Sequence, residues 1–240
     1  MTTDERTGGR ATRCAIAIMA KAPRQGEVKT RLVPPLSPEE ATALSGAFIR
    51  DIAENILAAA ATAPIDGWVA YSPPGSEAEF AALLPPGIAL LRPRRSGLGA
   101  SLRHAAEDLL AAGYGAVCLV NSDSPTLPTA VLVEAALALA RPGDRAILGP
   151  AADGGYYLIG LRRPHRRLFE DIDWSTARVR WQTMERAAEI GLAIETLRGW
   201  YDVDDRASLL QLARELAASD GDSYAARNTA AVLQRIVGRL

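Results

Sequence analysis

Residues 14–32 read Cys-Ala-Ile-Ala-Ile-Met-Ala-Lys-Ala-Pro-Arg-Gln-Gly-Glu-Val-Lys-Thr-Arg-Leu. The first seven, Cys14–Ala20, form an unbroken apolar run, as expected of a strand buried on both faces of a parallel sheet. In open α/β sheets ligands bind where loops leave the carboxyl ends of such strands. The loop here carries Lys21, Lys29 and Arg31. Gly26 lies between them, where the lack of a side chain lets backbone N–H groups approach an anion. Three cations and a glycine suit a di- or triphosphate, and a solvated charged loop is the plain alternative. The spacing matches neither the P-loop, which needs Gly-Lys-Thr, nor the dinucleotide fingerprint G-x-G-x-x-G.

Outward from this stretch, strand-like and helix-like segments alternate, which predicts one mostly parallel sheet flanked by helices. Ser37-Pro38-Glu39-Glu40 is a capping box that opens a helix to about Ala61. Further strands are expected at Trp68–Tyr71, Ile88–Leu91, Ala116–Val120, Arg145–Leu148, Gly154–Leu161 and Ala193–Leu197. Helices are expected after Ser76, from Gly99 to near Gly113, over Thr129–Ala140 and Val179–Ile190, from Asp205 to about Ala218, and at the carboxyl end. Residues 1–13 read as a flexible polar lead-in, and 14–240 as a single domain without repeats or linkers.

Three more segments hold candidate chemistry. Asp123 ends the Ala116–Val120 strand in Ser-Asp-Ser-Pro, placed to hold a hard cation against phosphate; an Asx-turn is the alternative. Asp202-Val203-Asp204 alternates, which puts both carboxylates on one face of an extended segment. Such a pair is favourable with a cation nearby, although Asp204 or Asp205 could simply cap the following helix. The run Asp153-Gly154-Gly155-Tyr156 permits close approach of a ligand or a positive φ, with Asp153 able to orient an acceptor; a Gly-rich β-turn is an equal alternative. Trp174 could stack on a sugar or base, and Ser175 or Thr176 could cap the next helix.

Composition narrows the field. Net charge is −1 with mean hydropathy near zero, so no general attraction to nucleic acid or an anionic membrane is expected. The run after residue 14 is too short for a signal sequence or a membrane span, which makes the cytoplasm the expected compartment. Cys14 and Cys118 read as buried free thiols. The chain has 25 Arg and two Lys, Lys21 and Lys29, which reads as lysine kept where a point charge suits better than a planar fork, with two leftover surface lysines as the alternative. His104 falls within a helix and His165 in a solvated Arg-rich turn; no Ser-His-Asp or Cys-His set can be assembled.

Taken in order, K-A-P-R-Q-G-E-V-K-T-R-L, S-D-S-P, G-P-A-A-D-G-G-Y-Y-L-I-G-L, D-I-D-W-S-T and Y-D-V-D-D resemble a bacterial glycosyltransferase-A-type family of nucleotide-diphospho-sugar transferases, from about residue 14 to 217. The chain is also similar, more distantly, to 2-phospholactate guanylyltransferases. The resemblance implies a nucleotide pocket at Lys21, Gly26, Lys29 and Arg31, and a Mg2+ (or Mn2+) site at Asp123, Asp202 and Asp204. It implies an acceptor region at Gly154, Gly155, Tyr156 and Trp174, with Asp123 and Asp153 in catalytic roles. Two positions depart from the family pattern: Asp-x-Asp is here Asp123-Ser124-Pro125, and Asp205 replaces the usual Thr.

The leading expectation is glycosyl transfer from a nucleotide-sugar to a small acceptor. The alternative is nucleotidyl transfer from a nucleoside triphosphate to a phosphorylated or phosphonate acceptor. A non-catalytic nucleotide-binding regulator is a third reading, disfavoured by three carboxylates beside phosphate-binding cations.

Overall fold

The structure is a computed structural model that describes residues 9–94, 97–218 and 222–236. Among these, β1 (Cys14–Lys21), β2 (Ile65–Ser72), β3 (Ala89–Leu91), β4 (Ala116–Val120), β5 (Ala146–Pro150), β6 (Tyr156–Leu161) and β7 (Ile194–Thr196) form a seven-stranded sheet, ordered β3-β2-β1-β4-β6-β5-β7. All pairs are parallel except those of β6, which runs antiparallel to both β4 and β5. The mostly parallel α/β architecture expected from the sequence is the one observed. The reversal has a functional consequence, because it brings the 151–155 turn between β5 and β6 to the edge where β1 and β4 end.

The helices are α1 (Pro38–Ala60), α2 (Glu77–Leu83), α3 (Leu98–Ala111), α4 (Thr129–Ala140), α5 (Val179–Glu189), α6 (Arg206–Ala218) and α7 (Arg227–Ile236). The central strands are apolar on both faces because both are covered. Ile16, Ile18, Cys118 and Val120 pack with α1 and α4, whereas Ala15, Ala17, Val117 and Leu119 pack with α3 and the short turn at Leu168 and Phe169. A third cluster joins Leu32, Phe48, Val203, Leu209 and Leu233. It roots the loop after β1 and the segment before α6 in a common apolar base.

Local capping signals account for the starts of α1 and α6. Ser37 accepts from Glu40 N while the Glu40 carboxylate accepts from Ser37 N, the reciprocal box read from sequence. Asp205 Oδ1 accepts from Ser208 N and so caps α6. Ser76 does not cap α2; its hydroxyl is buried and accepts from Arg24 Nη2 instead. His165 is partly exposed in its turn, and its Nε2 lies 3.0 Å from Asp144 Oδ2. Neither Ser175 nor Thr176 is the N-cap of α5, a position taken by Arg178. Cys14 and Cys118 are buried free thiols, as expected.

Of the expected flexible lead-in, residues 1–8 lie outside the described residues. The end of that segment is docked: Arg13 forms two hydrogen bonds to Asp66 and one to Ile65 O, and Arg10 lies over the Tyr114 ring. Among the described residues no helix is long and apolar enough to cross a membrane.

Candidate active site

A cavity of 510 Å³ opens at the carboxyl edge of the sheet. Lys21, Lys29 and Arg31 reach it from the loop after β1, Asp123 from the end of β4, and Asp153, Gly155 and Tyr156 from the β5–β6 turn. Trp174 enters from the segment before α5, and Asp202 and Asp204 from the segment before α6. Residues spread over most of the chain thus share one cleft.

Two expected site residues do not line it. Gly26 turns the loop, with φ +75°, and borders open space. Gly154, with φ +93°, would bring a Cβ to 2.4 Å from Ala177 O. That backbone packing and the positive φ alone require glycine there.

Lys29 is the most constrained member. Its side chain is 5% exposed. The ammonium donates to Asp123 Oδ1, to Asp204 Oδ1 at 3.0 Å and to Val203 O at 2.7 Å, and it lies 5.2 Å from the Phe48 ring centroid. Burial alone would lower its pKa, but the charges of Asp123 and Asp204 outweigh burial and raise it. Its backbone is left-handed, φ 49°, a conformation that costs energy outside glycine. Val203 N donates to Asp123 O at 2.9 Å, so the end of β4 and the segment before α6 are tied together independently of Lys29. Lys21 is freer: half-exposed, it hydrogen-bonds Glu27 O and pairs with the Glu27 carboxylate. Arg31 is exposed at the rim.

Asp202 has a different environment. Ser124 Oγ and Asn121 Nδ2 each donate to its Oδ1 at 2.6 Å, so neither bond falls on Oδ2. Burial pushes its pKa up to about 6, against the lowering effect of those two hydrogen bonds, and the charges of Asp123 and Asp153 push it further. Asp153 Oδ1 accepts from Gly155 N at 2.8 Å, which fixes the turn. Trp174 packs against Gly99, where an added Cβ would meet its Nε1 at 2.3 Å. The Tyr156 hydroxyl is buried, which raises its pKa.

The expected metal can be tested against this geometry. Among the described residues no group of three or more carboxylate, histidine or cysteine side chains is arranged to hold an ion. Lys29 engages both Asp123 and Asp204, whereas Asp202 is free of it. Asp123 and Asp202 do fit a divalent cation: their charges interact unfavourably, and Asp202 Oδ2 takes neither hydrogen bond. Magnesium typically takes one or two carboxylates together with phosphate oxygens and water. A two-carboxylate site completed by a ligand phosphate is therefore compatible with these residues.

Sequence reading missed Asn121, Ser124 and Phe48. The two polar residues sit beside Asp123 and read as turn formers. Their partner Asp202 lies 81 and 78 positions away, a distance that no local pattern encodes.

The profile of a family described as an uncharacterized protein conserved in bacteria (DUF2064) matches residues 55–176, just over half of the chain. The chain belongs to the DUF2064 family. The crystal structure of a relative from Desulfovibrio desulfuricans G20, provisionally assigned as a nucleotide-diphospho-sugar transferase, is similar to this DUF2064 member with TM-score 0.82 and 30% identity, over 94% of this chain and 96% of that one. CMP:2-keto-3-deoxy-manno-octonic acid synthetase in complex with CTP is similar with TM-score 0.55 at 16% identity, over 86% and 98% of the two chains. The 4-diphosphocytidyl-2C-methyl-D-erythritol synthase of Anaerococcus prevotii DSM 20548 is similar with TM-score 0.54 at 10% identity, over 88% and 99%. At those lower identities the likeness is one of fold, the nucleotide-diphospho-sugar transferase fold. No curated protein matches the DUF2064 chain in sequence.

Proposed function

We propose that the protein is a nucleotide-dependent transferase, with a nucleotide-sugar as donor and a small hydroxyl-bearing molecule as acceptor. One observation carries this reading: a cation-bearing loop and the carboxylates Asp123 and Asp202 meet in one cavity at the carboxyl edge of the sheet. The donor diphosphate would lie against Lys21 and Arg31. Its nucleoside would extend toward the ends of β1–β3, where a second cavity of 480 Å³ shares Met19, Lys21, Leu98 and Ser122 with the first. Asp123 and Asp202 would hold a divalent cation, which supplies charge neutralisation for a departing diphosphate.

The remaining half of the cleft, with Tyr156, Trp174 and Asp153, suits the sugar and the acceptor. Trp174 offers an apolar ring face, and Asp153 is a carboxylate fixed by its own turn. The acceptor oxygen would attack the anomeric carbon while its proton passes to Asp153. The bond from that carbon to the diphosphate oxygen breaks, releasing a nucleoside diphosphate.

A second reading, nucleotidyl transfer, is favoured by the Asp123 contact itself. Where the glycosyltransferase pattern has a second aspartate, this chain has Pro125, and Lys29 neutralises Asp123. In that case the acceptor attacks the α-phosphorus of a nucleoside triphosphate and pyrophosphate leaves. Mass-spectrometric screening of purified protein with nucleotide-sugars and nucleoside triphosphates separates the two readings. Release of nucleoside diphosphate supports glycosyl transfer and release of pyrophosphate supports nucleotidyl transfer. Turnover of neither across a broad panel would contradict both.

A further inference from the structure

We propose that Lys29 is a built-in counter-ion: it holds Asp123 and Asp204 in the unliganded protein and releases Asp123 when a divalent cation and a diphosphate enter. The inference rests on the reading of the cleft as a nucleotide and metal site. It assigns Lys29 a different task from the phosphate contact expected of a loop cation.

An ammonium has three N–H donors, and here three oxygens take them: Asp123 Oδ1, Asp204 Oδ1 and Val203 O. In this state Lys29 has no donor left for phosphate. Its side chain is enclosed and backed by Phe48, whereas Lys21 is half-exposed and Arg31 exposed. First contact with an incoming diphosphate therefore falls to Lys21 and Arg31.

The same geometry sets up a competition. Asp123 pairs with Lys29, lines the same cavity as Asp202, and acts on Asp202 by its charge. A divalent cation bound between Asp123 and Asp202 would draw the shared carboxylate away from the ammonium. Lys29 would keep Asp204 and Val203 O, and gain a donor free to turn toward the diphosphate. The exchange keeps positive charge beside the carboxylates at every stage, which lets the cleft assemble without exposing a bare acidic cluster.

The chain's two lysines make this directly measurable. In protein with 15N-labelled lysine side chains, the free state should show one ammonium resonance protected from solvent exchange, which disappears in Lys29→Met. Adding Mg2+ with inorganic pyrophosphate should shift that resonance or abolish its protection. An unchanged, protected Lys29 signal at saturating Mg2+ and pyrophosphate would overturn the proposal, and this arm needs only the wild-type fold.

In the second arm, calorimetry with Mn2+ alone should show Lys29→Met binding the ion about tenfold more tightly or better, because no ammonium competes for Asp123. Equal or weaker Mn2+ binding by folded Lys29→Met would overturn the proposal. If only this inference fails, Asp123→Asn still abolishes Mn2+ binding. If the metal-site reading fails, Mn2+ binds Asp123→Asn as it binds the wild type.

Discussion

Asp202 carries an unfavourable charge whose size can be read from stability. Its folded-state value of about 6 lies above the ordinary 3.8, first through burial and then through the charges of Asp123 and Asp153. The folded protein therefore holds the proton more tightly than the unfolded chain. The stabilisation this provides is complete below about pH 4 and is lost as pH rises to about 6. Asp202→Asn removes the loss. In the presence of a chelator, the variant should exceed wild type in stability at pH 8 by on the order of 1–3 kcal/mol, with no gain near pH 4. Urea unfolding at the two pH values checks this, and a pH-independent difference would contradict it. Gly99 makes a second point at this scale. A methyl there would lie 2.3 Å from Trp174 Nε1, so Gly99→Ala must displace the ring. Under the proposed function, the acceptor KM should rise about 10-fold while donor affinity is unchanged. A change confined to donor affinity would place Trp174 on the donor side.

Among the elements, α7 shows how a short amphipathic helix is held in place. Asp51, fully buried on α1, accepts from Asn228 N, Asn228 Nδ2 and Thr229 N, and thereby caps the first turn of α7 across 177 positions of sequence. Asp51→Ala leaves those N–H groups without their acceptor. It should cost about 2–3 kcal/mol, with amide exchange accelerated first in α7. Uniform destabilisation with α7 protected as before would argue against the cap. The contrast with elements read from sequence is instructive. Thr129–Ala140 and the Ser37 box are encoded by neighbours three or four positions apart, so periodicity and capping chemistry suffice to place them. The direction of β6 is not legible in the sequence, because its continuous apolar run reads the same whichever way the strand runs. Pairing with β4 and β5 decides it, and that pairing is what carries Asp153 to the cleft.

Across the whole molecule, the carboxyl-edge rule gathers Lys21, Lys29, Arg31, Asp123, Asp202 and Asp204 around one cavity. What it could not supply is how those charges are shared. A sequence shows three loop cations and three acidic residues, but not that Lys29 is consumed by Asp123, Asp204 and Val203 O. Nor does it show that Asn121 and Ser124 orient Asp202. Glycine signals either close approach or a positive φ; Gly26 and Gly154 both have a positive φ, and Gly154 also packs on Ala177. The proposed activity depends on Asp123, which couples the loop after β1 to Asp202 and which exposed-loop variants would leave in place. The most direct measurement is therefore donor turnover by wild type and Asp123→Asn, with Mg2+ and with chelator, alongside thermal unfolding to confirm the fold. Chelator should silence the wild type, and Asp123→Asn, still folded, should lose about 100-fold or more in kcat. Full magnesium-dependent turnover by Asp123→Asn would contradict the proposed activity's dependence on Asp123.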